Sequence, residues 1–230
     1  IGVGGGAMGL SVAYNLLRKG KKVHVLEGDY LNAGSTGRNL GVLKARNPYA
    51  IGNGNKDLVK LAKMGLKLNA GLSSETGINT FHKTSGCLIL AKDEADLKQL
   101  KEYHAHFKSM GLDERELSPA EIHRKWNYID PDSIISGFYS PSEANAHPFG
   151  VVWAYVEAIR KRKAQVEKQN RVSKIEKTSD GYKVTAEKGE YDATEVVVAC
   201  AERSSELTEQ LGHKVPLKPM RKEVLISEPI

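Results

Sequence analysis

The sequence predicts an α/β fold that begins with a βαβ unit, and three observations support this prediction. Residues 1–3 are apolar and predict the end of a buried strand. A glycine-rich turn follows at residues 4–9, and apolar residues then recur at helical spacing as far as Gly20. Residues 22–27 favour a second strand that ends on an acidic residue, Glu27. These features occur in the order and at the lengths of a dinucleotide-binding unit.

The alternation of strand and helix stops after Glu27, which predicts a mixed α+β insert. A polar loop at residues 34–39 is followed by a second polar stretch at residues 47–55. Ser118 and Pro119 form a typical helix start, with the serine as N-cap and the proline at the first helical position. The insert is predicted to contain helices at 56–72, 94–110 and from 119, and strands at 85–91 and 134–139.

The βαβ unit is then predicted to be completed by the remaining residues. An apolar stripe from Pro148 to Ile159 predicts a helix. Residues 194–200 are almost continuously apolar, as in a parallel strand covered on both faces. Further strands are expected at 172–176, 182–186 and 222–226, and a short helix at 204–211.

Composition and charge exclude several classes of protein. The 230 residues are 40% hydrophobic and 27% charged, and no apolar run is long enough to span a bilayer, so disorder and a membrane span are excluded. Cys87 and Cys200 are far apart, which supports neither a zinc site nor a disulfide framework and indicates a cytoplasmic protein. Much of the net charge of +6 lies in residues 160–177 without interleaved aromatic residues, which is typical of a solvated face and not of a nucleic-acid interface.

The glycine turn and Glu27 carry the chemical signal. Glycines allow a tight turn and close approach of a diphosphate, and the following helix N-terminus offers unpaired N–H groups and a partial positive charge. A carboxylate at the end of the second strand accepts hydrogen bonds from ribose hydroxyls. Arg38 adds a guanidinium, which is a natural partner for phosphate oxygens.

The loop at residues 34–39, Gly-Ser-Thr-Gly-Arg-Asn, distinguishes flavin from nicotinamide binding. Together with residues 10–16 it resembles the D-amino-acid-oxidase-type group of FAD-dependent oxidoreductases. It is most similar to the branch of the sarcosine oxidase beta subunit and dye-linked L-proline dehydrogenase. The resemblance extends through residues 139–142, 196–205 and 227–229.

This resemblance implies two domains. Residues 1–79 and 147–213 would form an FAD-binding, Rossmann-like domain of the glutathione-reductase type, built from discontinuous segments. Residues 80–146 and 214–230 would form an α+β substrate domain with an antiparallel or mixed sheet. The resemblance also leads us to expect that the C-terminal part of the family fold is missing from this chain.

The resemblance implies FAD as cofactor and a set of site residues, and the spacing of the cysteines and histidines leads us to expect no metal. The diphosphate would be surrounded by the glycine turn, and Glu27 would bind the ribose. Val172 would contact the adenine through its backbone, and the 34–39 loop would lie against the diphosphate and the isoalloxazine. The full cofactor set is Gly4, Gly6, Ala7, Met8, Gly9, Glu27, Gly34, Ser35, Thr36, Arg38, Asn39, Val172, Ala199 and Ala201.

Two positions depart from the family pattern. Ala201 stands where the family has a glycine beside the cofactor, and it adds a Cβ there. Lys44 stands where many relatives have an arginine that faces the flavin. Lys44 is therefore the candidate catalytic residue, as a point charge that would hold a substrate carboxylate.

The implied function is oxidation of a small amine or amino acid, such as sarcosine or proline. A hydride would pass from the carbon next to the amine to flavin N5, and the imine would then hydrolyse. A non-catalytic FAD-binding or scaffold subunit of a larger dehydrogenase is a first alternative, and an NAD-dependent dehydrogenase is a second. The expected partners are a small substrate and either other subunits or further copies of this chain.

Overall fold

The computed structural model describes residues 1–46, 56–220 and 223, which form two compact units. The first unit comprises Ile1–Leu40, Leu72–Thr80 and the described residues from His147 onward. The second comprises Phe81–Ala146 and the described residues of Gly41–Gly71. The sequence-based domain ranges divide the chain differently between residues 41 and 71, at Thr80 and in the described residues from 214 onward, which all belong to the other unit in the structure. Their assignment to cofactor and substrate stays a prediction.

A parallel sheet forms the centre of the first unit. Its strands, numbered in chain order, are β1 (Gly2–Val3), β2 (His24–Leu26), β9 (Gln165–Glu167) and β13 (Val197–Val198). They lie in the order β13-β1-β2-β9, and every neighbouring pair is parallel. The carboxyl ends of all four strands therefore meet at one edge.

Two helices of the first unit pack against each other. Helix α1 (Ala7–Arg18) connects β1 to β2 and buries Leu10, Ala13 and Tyr14 at helical spacing. Helix α5 (Pro148–Lys161) precedes β9, and its Tyr155 ring lies 5.7 Å from the Tyr14 ring. The predicted start of α5 is confirmed, since His147 accepts a hydrogen bond from the Gly150 N–H at 3.4 Å.

The first unit also contains an antiparallel sheet and a short helix. The sheet consists of β10 (Val172–Lys177), β11 (Tyr182–Ala186) and β12 (Gly189–Ala193), in that order. A 3-10 turn (Ala201–Arg203) leads into α6 (Ser204–Glu209). A core of Val3, Leu26, Ile175, Val184 and Leu207 joins these elements to the parallel sheet.

The second unit is α+β with antiparallel sheets. One sheet has the order β5 (Cys87–Ala91), β7 (Ser136–Ser140) and β6 (Arg115–Leu117), and the other has β3 (Val42–Leu43), β8 (Ala144–Asn145) and β4 (Lys83–Thr84). The helices are α3 (Glu94–Ser109), α4 (Pro119–Lys125) and most of α2 (Lys56–Thr76), whose residues from Leu72 onward belong to the first unit. The predicted start of α4 is confirmed, because Ser118 and Glu121 form a capping box.

The predicted α/β fold class is confirmed, and some element bounds differ from the sequence-based ones. The strand expected at 194–200 pairs only over Val197–Val198, and the helix expected to end at residue 72 continues to Thr76. The strand expected at 222–226 lies outside the described residues except for Glu223. Within the described part of the chain, no helix combines the length and apolar character needed to cross a membrane.

Candidate functional site

A cavity of about 870 Å³ opens in the first unit at the carboxyl ends of its parallel strands. Val3, Leu26 and Val198 end β1, β2 and β13, and all three line it. The chain runs from β1 to β2 and β9 on one side and places β13 on the other, so the cavity lies where the strand order reverses. Ligands of open α/β sheets bind at such switch points. The volume suits a large organic cofactor.

Gly4 allows the backbone to turn at the end of β1. Its φ of +111° lies in the region that side chains rarely adopt, and a Cβ there would overlap the carbonyl oxygen of Ala199. The Gly4 N–H donates to the Leu26 carbonyl at 2.9 Å. Any larger residue at position 4 would therefore push the end of β1 away from the end of β13. The cavity forms only where these two strands lie side by side.

The N-terminus of α1 points a partial positive charge at the cavity. Gly6 is the N-cap and supplies no side-chain hydrogen bond, and the first turn holds no acidic residue. Gly6, Ala7 and Met8 line the cavity, and the Ala7 N–H donates to Thr36 Oγ1 at 3.1 Å. An anion placed here would meet the helix dipole and backbone N–H groups.

Gly9 has a different role from the other glycines of the turn. It does not line the cavity. A Cβ at Gly9 would overlap the Gly4 carbonyl oxygen and lie 3.4 Å from the Ala199 Cβ. Gly9 therefore lets α1 pack closely on the turn, while its predicted cofactor contact stays a prediction.

Glu27 lies directly opposite the glycine turn. Its Oε2 accepts from the Gly5 N–H at 2.6 Å, and its Oε1 accepts from the Asp29 N–H at 2.9 Å. A Cβ at Gly5 would come within 2.9 Å of the Glu27 Cβ. The carboxylate is thus held at the cavity wall by two backbone donors.

The polar loop reaches the cavity with only part of its residues. Gly34, Ser35 and Thr36 line it, at the start of a 3-10 helix (Ser35–Arg38). Arg38 and Asn39 are exposed and do not line it. The Asn39 Nδ2 donates to the Thr36 carbonyl at 2.6 Å, which fixes the end of the turn. The predicted cofactor roles of Arg38 and Asn39 stay predictions.

The opposite wall contains the three remaining predicted cofactor residues. Val172, Ala199 and Ala201 all line the cavity, and Ala201 has a φ of +51°. Cys200 lines it as well, and burial raises the pKa of its thiol to about 11. Its Sγ donates to the Val3 carbonyl at 3.3 Å. The thiol therefore stays protonated near neutral pH and helps to hold the wall.

Lys44 belongs to the second unit, where it is exposed. Its positive charge acts on the carboxyl of Glu143, whose pKa is raised by burial. The Arg46 N–H, which donates to Glu143 Oε1 at 3.1 Å, opposes this rise, and so does the charge of Lys44. Burial also raises the pKa of the Cys87 thiol, and Lys44 again opposes it. The role of Lys44 toward a substrate stays a prediction. Among residues 1–46, 56–220 and 223, no group of three His, Cys, Asp or Glu side chains could hold a metal.

Sequence reasoning missed several residues that line the cavity. Gly28, Asp29 and Arg171 lie next to Glu27 and Val172, and this adjacency was the available signal. Asn32 has a φ of +69°, and its backbone contacts Gly37, which the sequence does not reveal. Val3, Val12, Leu26 and Ala33 were missed on the side of the glycine turn. The residues missed on the opposite wall are Val197, Val198, Cys200, Glu202, Arg203, Ser204, Leu207, Thr208, Val215 and Leu217.

The residues around the cavity fit a dinucleotide with a diphosphate. A helix N-terminus whose first turn holds no acidic residue suits the diphosphate, and the backbone at Gly4 leaves no room for a Cβ. The Glu27 carboxylate suits ribose hydroxyls. FAD carries all of these groups.

Comparison with known proteins identifies the family. The model of the family "FAD dependent oxidoreductase" (DAO) matches residues 3–230. The mitochondrial sarcosine dehydrogenase of Mus musculus is 28% identical over an alignment of 235 residues, gaps included, which covers 99% of this chain and 25% of that protein. This chain therefore spans about a quarter of the length of that relative.

Solved structures share the fold. Glycine oxidase from Geobacillus kaustophilus superimposes with a TM-score of 0.84 at 21% identity, over 92% of this chain and 57% of that chain. L-proline dehydrogenase from P. horikoshii gives a TM-score of 0.82 at 22% identity, over 92% of this chain and 55% of that chain. The predicted fold is confirmed, and this chain spans just over half of either structure.

The family match also confirms the predicted cofactor and the predicted class of enzyme. FAD is the cofactor on which this family depends, and oxidation and reduction are its chemistry. Since the match extends over almost all of the 230 residues, the chain belongs to the DAO family of FAD-dependent oxidoreductases.

Proposed function

We propose that the protein oxidises a small amine or amino acid, such as sarcosine, proline or glycine, with FAD bound in the cavity of the first unit. The observation that carries this proposal is the convergence of three sequence features on one cavity. The α1 N-terminus, Glu27 and the loop at Ser35 and Thr36 all line it. Relatives and structural neighbours that act on sarcosine, glycine and proline support the substrate class.

The chain's own residues would hold the cofactor from two sides. The N–H groups at the start of α1 would bind the diphosphate, and Glu27 would accept hydrogen bonds from the ribose. Bound FAD supplies the hydride acceptor for the substrate carbon next to the amine. Lys44 would hold the substrate carboxylate as a point charge, which orients the substrate without acting as a base.

The test is an anaerobic titration of the purified protein after addition of FAD. Proline, sarcosine and glycine are added in turn, and the flavin absorbance is followed. Loss of the flavin absorbance with at least one of them is the expected result. A protein that binds no FAD contradicts the proposal.

Glu27→Gln provides a matched test of the site. The amide keeps an acceptor for the Gly5 N–H but loses the charge, so we expect weaker FAD binding by roughly tenfold, which is about 1.4 kcal/mol. Glu190→Gln is the control, because Glu190 is an exposed residue that pairs with Lys183 outside the cavity. Equal FAD affinity in the two variants would count against the assigned role of Glu27.

A non-catalytic FAD-binding subunit is the second candidate, and the φ of Ala201 favours it. This residue adds a Cβ in a left-handed conformation beside the cavity. Flavin that binds but keeps its absorbance with every amine would favour this candidate. Retention of NAD without flavin would favour an NAD-dependent dehydrogenase instead. Association with other subunits and a cytoplasmic location stay predictions.

A further inference from the structure

Arg171 lines the cavity next to Glu27, Gly28 and Asp29, and no motif of the sequence assigns it a role. It directly precedes Val172, the first residue of β10. The phosphate-binding features lie at the start of α1, and Glu27 lies beyond them at the end of β2. A ligand that places its diphosphate at α1 and its ribose at Glu27 would therefore extend its base toward this part of the wall.

Backbone hydrogen bonds hold the segment of Arg171 beside the end of β2. The Asn170 N–H donates to the Glu27 carbonyl at 2.9 Å, and the Gln169 N–H donates to the Asp29 carbonyl at 3.0 Å. The Arg171 N–H itself donates to Glu187 Oε2 at 3.2 Å. The backbone that carries the arginine is thus fixed against the wall that carries Glu27.

The stem of Arg171 packs flat on Gly28. A Cβ at Gly28 would lie 3.2 Å from both the Cβ and the Cγ of Arg171. The φ of Gly28 lies outside the left-handed region, so the backbone conformation does not require a glycine. The small size of Gly28 matters because the arginine stem lies against it. Contact with Gly28 directs the first part of the side chain along the cavity wall.

The guanidinium is held loosely and stays open to a ligand. Its Nη2 lies 3.9 Å from Asp29 Oδ2, and the two side chains are 42% and 52% exposed. Asp29 is itself fixed, since its Oδ1 accepts from the Tyr30 N–H at 2.9 Å. A donor group and an acceptor group therefore stand side by side at the cavity wall.

This pair suits the chemistry of adenine. A planar guanidinium stacks on flat rings and donates to ring nitrogens, and a carboxylate accepts from an amino group. Adenine presents a ring-nitrogen acceptor next to an amino donor. Glu27 and Asp29 would repel a 2′-phosphate, which disfavours a nucleotide that carries one.

We propose that Arg171, with Asp29 beside it, binds the adenine base of the cofactor and contributes directly to the affinity of the site for FAD. This inference rests on the proposed function for the identity of the cofactor. It makes Arg171 a specificity-determining residue that contacts the adenosine half and is remote from the reacting atoms.

The test uses ADP, which carries the adenine, ribose and diphosphate without the flavin. Calorimetric titration compares the wild-type protein with Arg171→Gln, which keeps most of the stem on Gly28 and removes the charge. We expect ADP binding to weaken by roughly tenfold. Lys174→Gln is the matched control, because this exposed lysine of β10 loses the same charge outside the cavity, and we expect less than a twofold change. Urea unfolding checks that both variants are folded.

Equal ADP affinity in Arg171→Gln and wild type would overturn the inference. Equal losses in Arg171→Gln and Lys174→Gln would overturn it too, as would failure of the wild type to bind ADP. Tighter binding of adenosine 2′,5′-bisphosphate than of ADP by the wild type would also overturn it, since Arg171 would then serve a 2′-phosphate. ADP binding that depends on Arg171, with no flavin reduction by any amine, would leave this inference standing and reject only the proposed function.

Discussion

At the scale of single residues, Gly4 and Gly9 set how closely the first helix approaches the first strand. Gly4 is required for its conformation, and Gly9 is required for the space above the Gly4 carbonyl. The sequence pattern treats both as part of one glycine motif. The structure separates their roles, because only Gly4 lines the cavity.

Gly9→Ala should therefore destabilise the protein. The new Cβ would overlap the Gly4 carbonyl oxygen, and we expect the free energy of unfolding to fall by about 2 kcal/mol or more in urea titrations. Gly65→Ala is the control, since the interior of α2 has no atom within 4 Å of a Cβ there. It should gain roughly 0.5–1 kcal/mol from helix propensity. The same sign of change in both variants would contradict the packing role of Gly9.

Ala201→Gly should stabilise the protein. A non-glycine residue in the left-handed region, such as Ala201, destabilises the folded state by roughly 1–2 kcal/mol. Glycine removes this strain, but its greater freedom in the unfolded chain lowers the free energy of unfolding by about 0.4–1 kcal/mol. We expect a net gain of a few tenths to about 1 kcal/mol by thermal unfolding. Ala70→Gly, on the exposed side of α2, should instead lose about 1 kcal/mol. A loss of stability in Ala201→Gly would contradict the strain at this position.

Glu143→Gln should change how stability depends on pH. Burial raises the pKa of Glu143 above its ordinary value of 4.5, so the folded state disfavours the charged carboxylate. The wild type therefore loses stability as the pH rises from 4.5 through the raised pKa, whereas the amide does not ionise. We expect the unfolding free energy of Glu143→Gln relative to wild type to increase as the pH rises above about 4.5. A difference between Glu143→Gln and wild type that stays constant with pH would contradict the prediction.

At the scale of elements, the helices were predictable because their signals are local. The N-cap at Ser118 and the apolar spacing of α5 are features of neighbouring residues. The strands of the parallel sheet were harder to delimit. β1 and β13 pair over two residues each, and neighbouring apolar residues do not reveal where this pairing stops.

Ser118→Ala should destabilise α4 specifically. Ser118 Oγ accepts from the Glu121 N–H at 3.3 Å, and Glu121 Oε2 accepts from the Ser118 N–H at 2.8 Å. Loss of the serine oxygen leaves an N–H of the first turn unpaired, and we expect a loss of about 1 kcal/mol in urea unfolding. Ser74→Ala, at an exposed position inside α2, should be neutral or slightly stabilising. Equal changes in both variants would show that the cap contributes no stability.

At the scale of the whole molecule, the two compact units predict a localised response to the cofactor. FAD should slow backbone hydrogen exchange at the start of α1, at Asp29 and at Ser35 and Thr36, because these residues line the cavity. Exchange in β5 and β7 of the second unit should not change. Mass spectrometry of peptides measures both regions. Riboflavin, which lacks the diphosphate, is the control ligand, and uniform slowing over both units would contradict the assignment of the cofactor to the first.

The sequence by itself determined the opening βαβ unit, its acidic terminus and the family. These depend on short segments whose residue types have direct physical meaning: glycines for a turn, a carboxylate for ribose, and a helix N-terminus for a diphosphate. This reasoning places Gly4 and Glu27 in one site, and the family resemblance adds Thr36 and Ala199 to it. The structure brings all four to one cavity.

Only the tertiary structure decided which residues complete the wall and which do not. Arg171 and Asp29 approach each other across 142 positions of the chain because β9, which follows the long insert, pairs with β2. Arg38 carries the right chemistry for a phosphate, yet its position in the 3-10 turn leaves it exposed and off the cavity wall. Such outcomes depend on strand pairing and backbone direction over long separations, and local residue patterns do not contain that information.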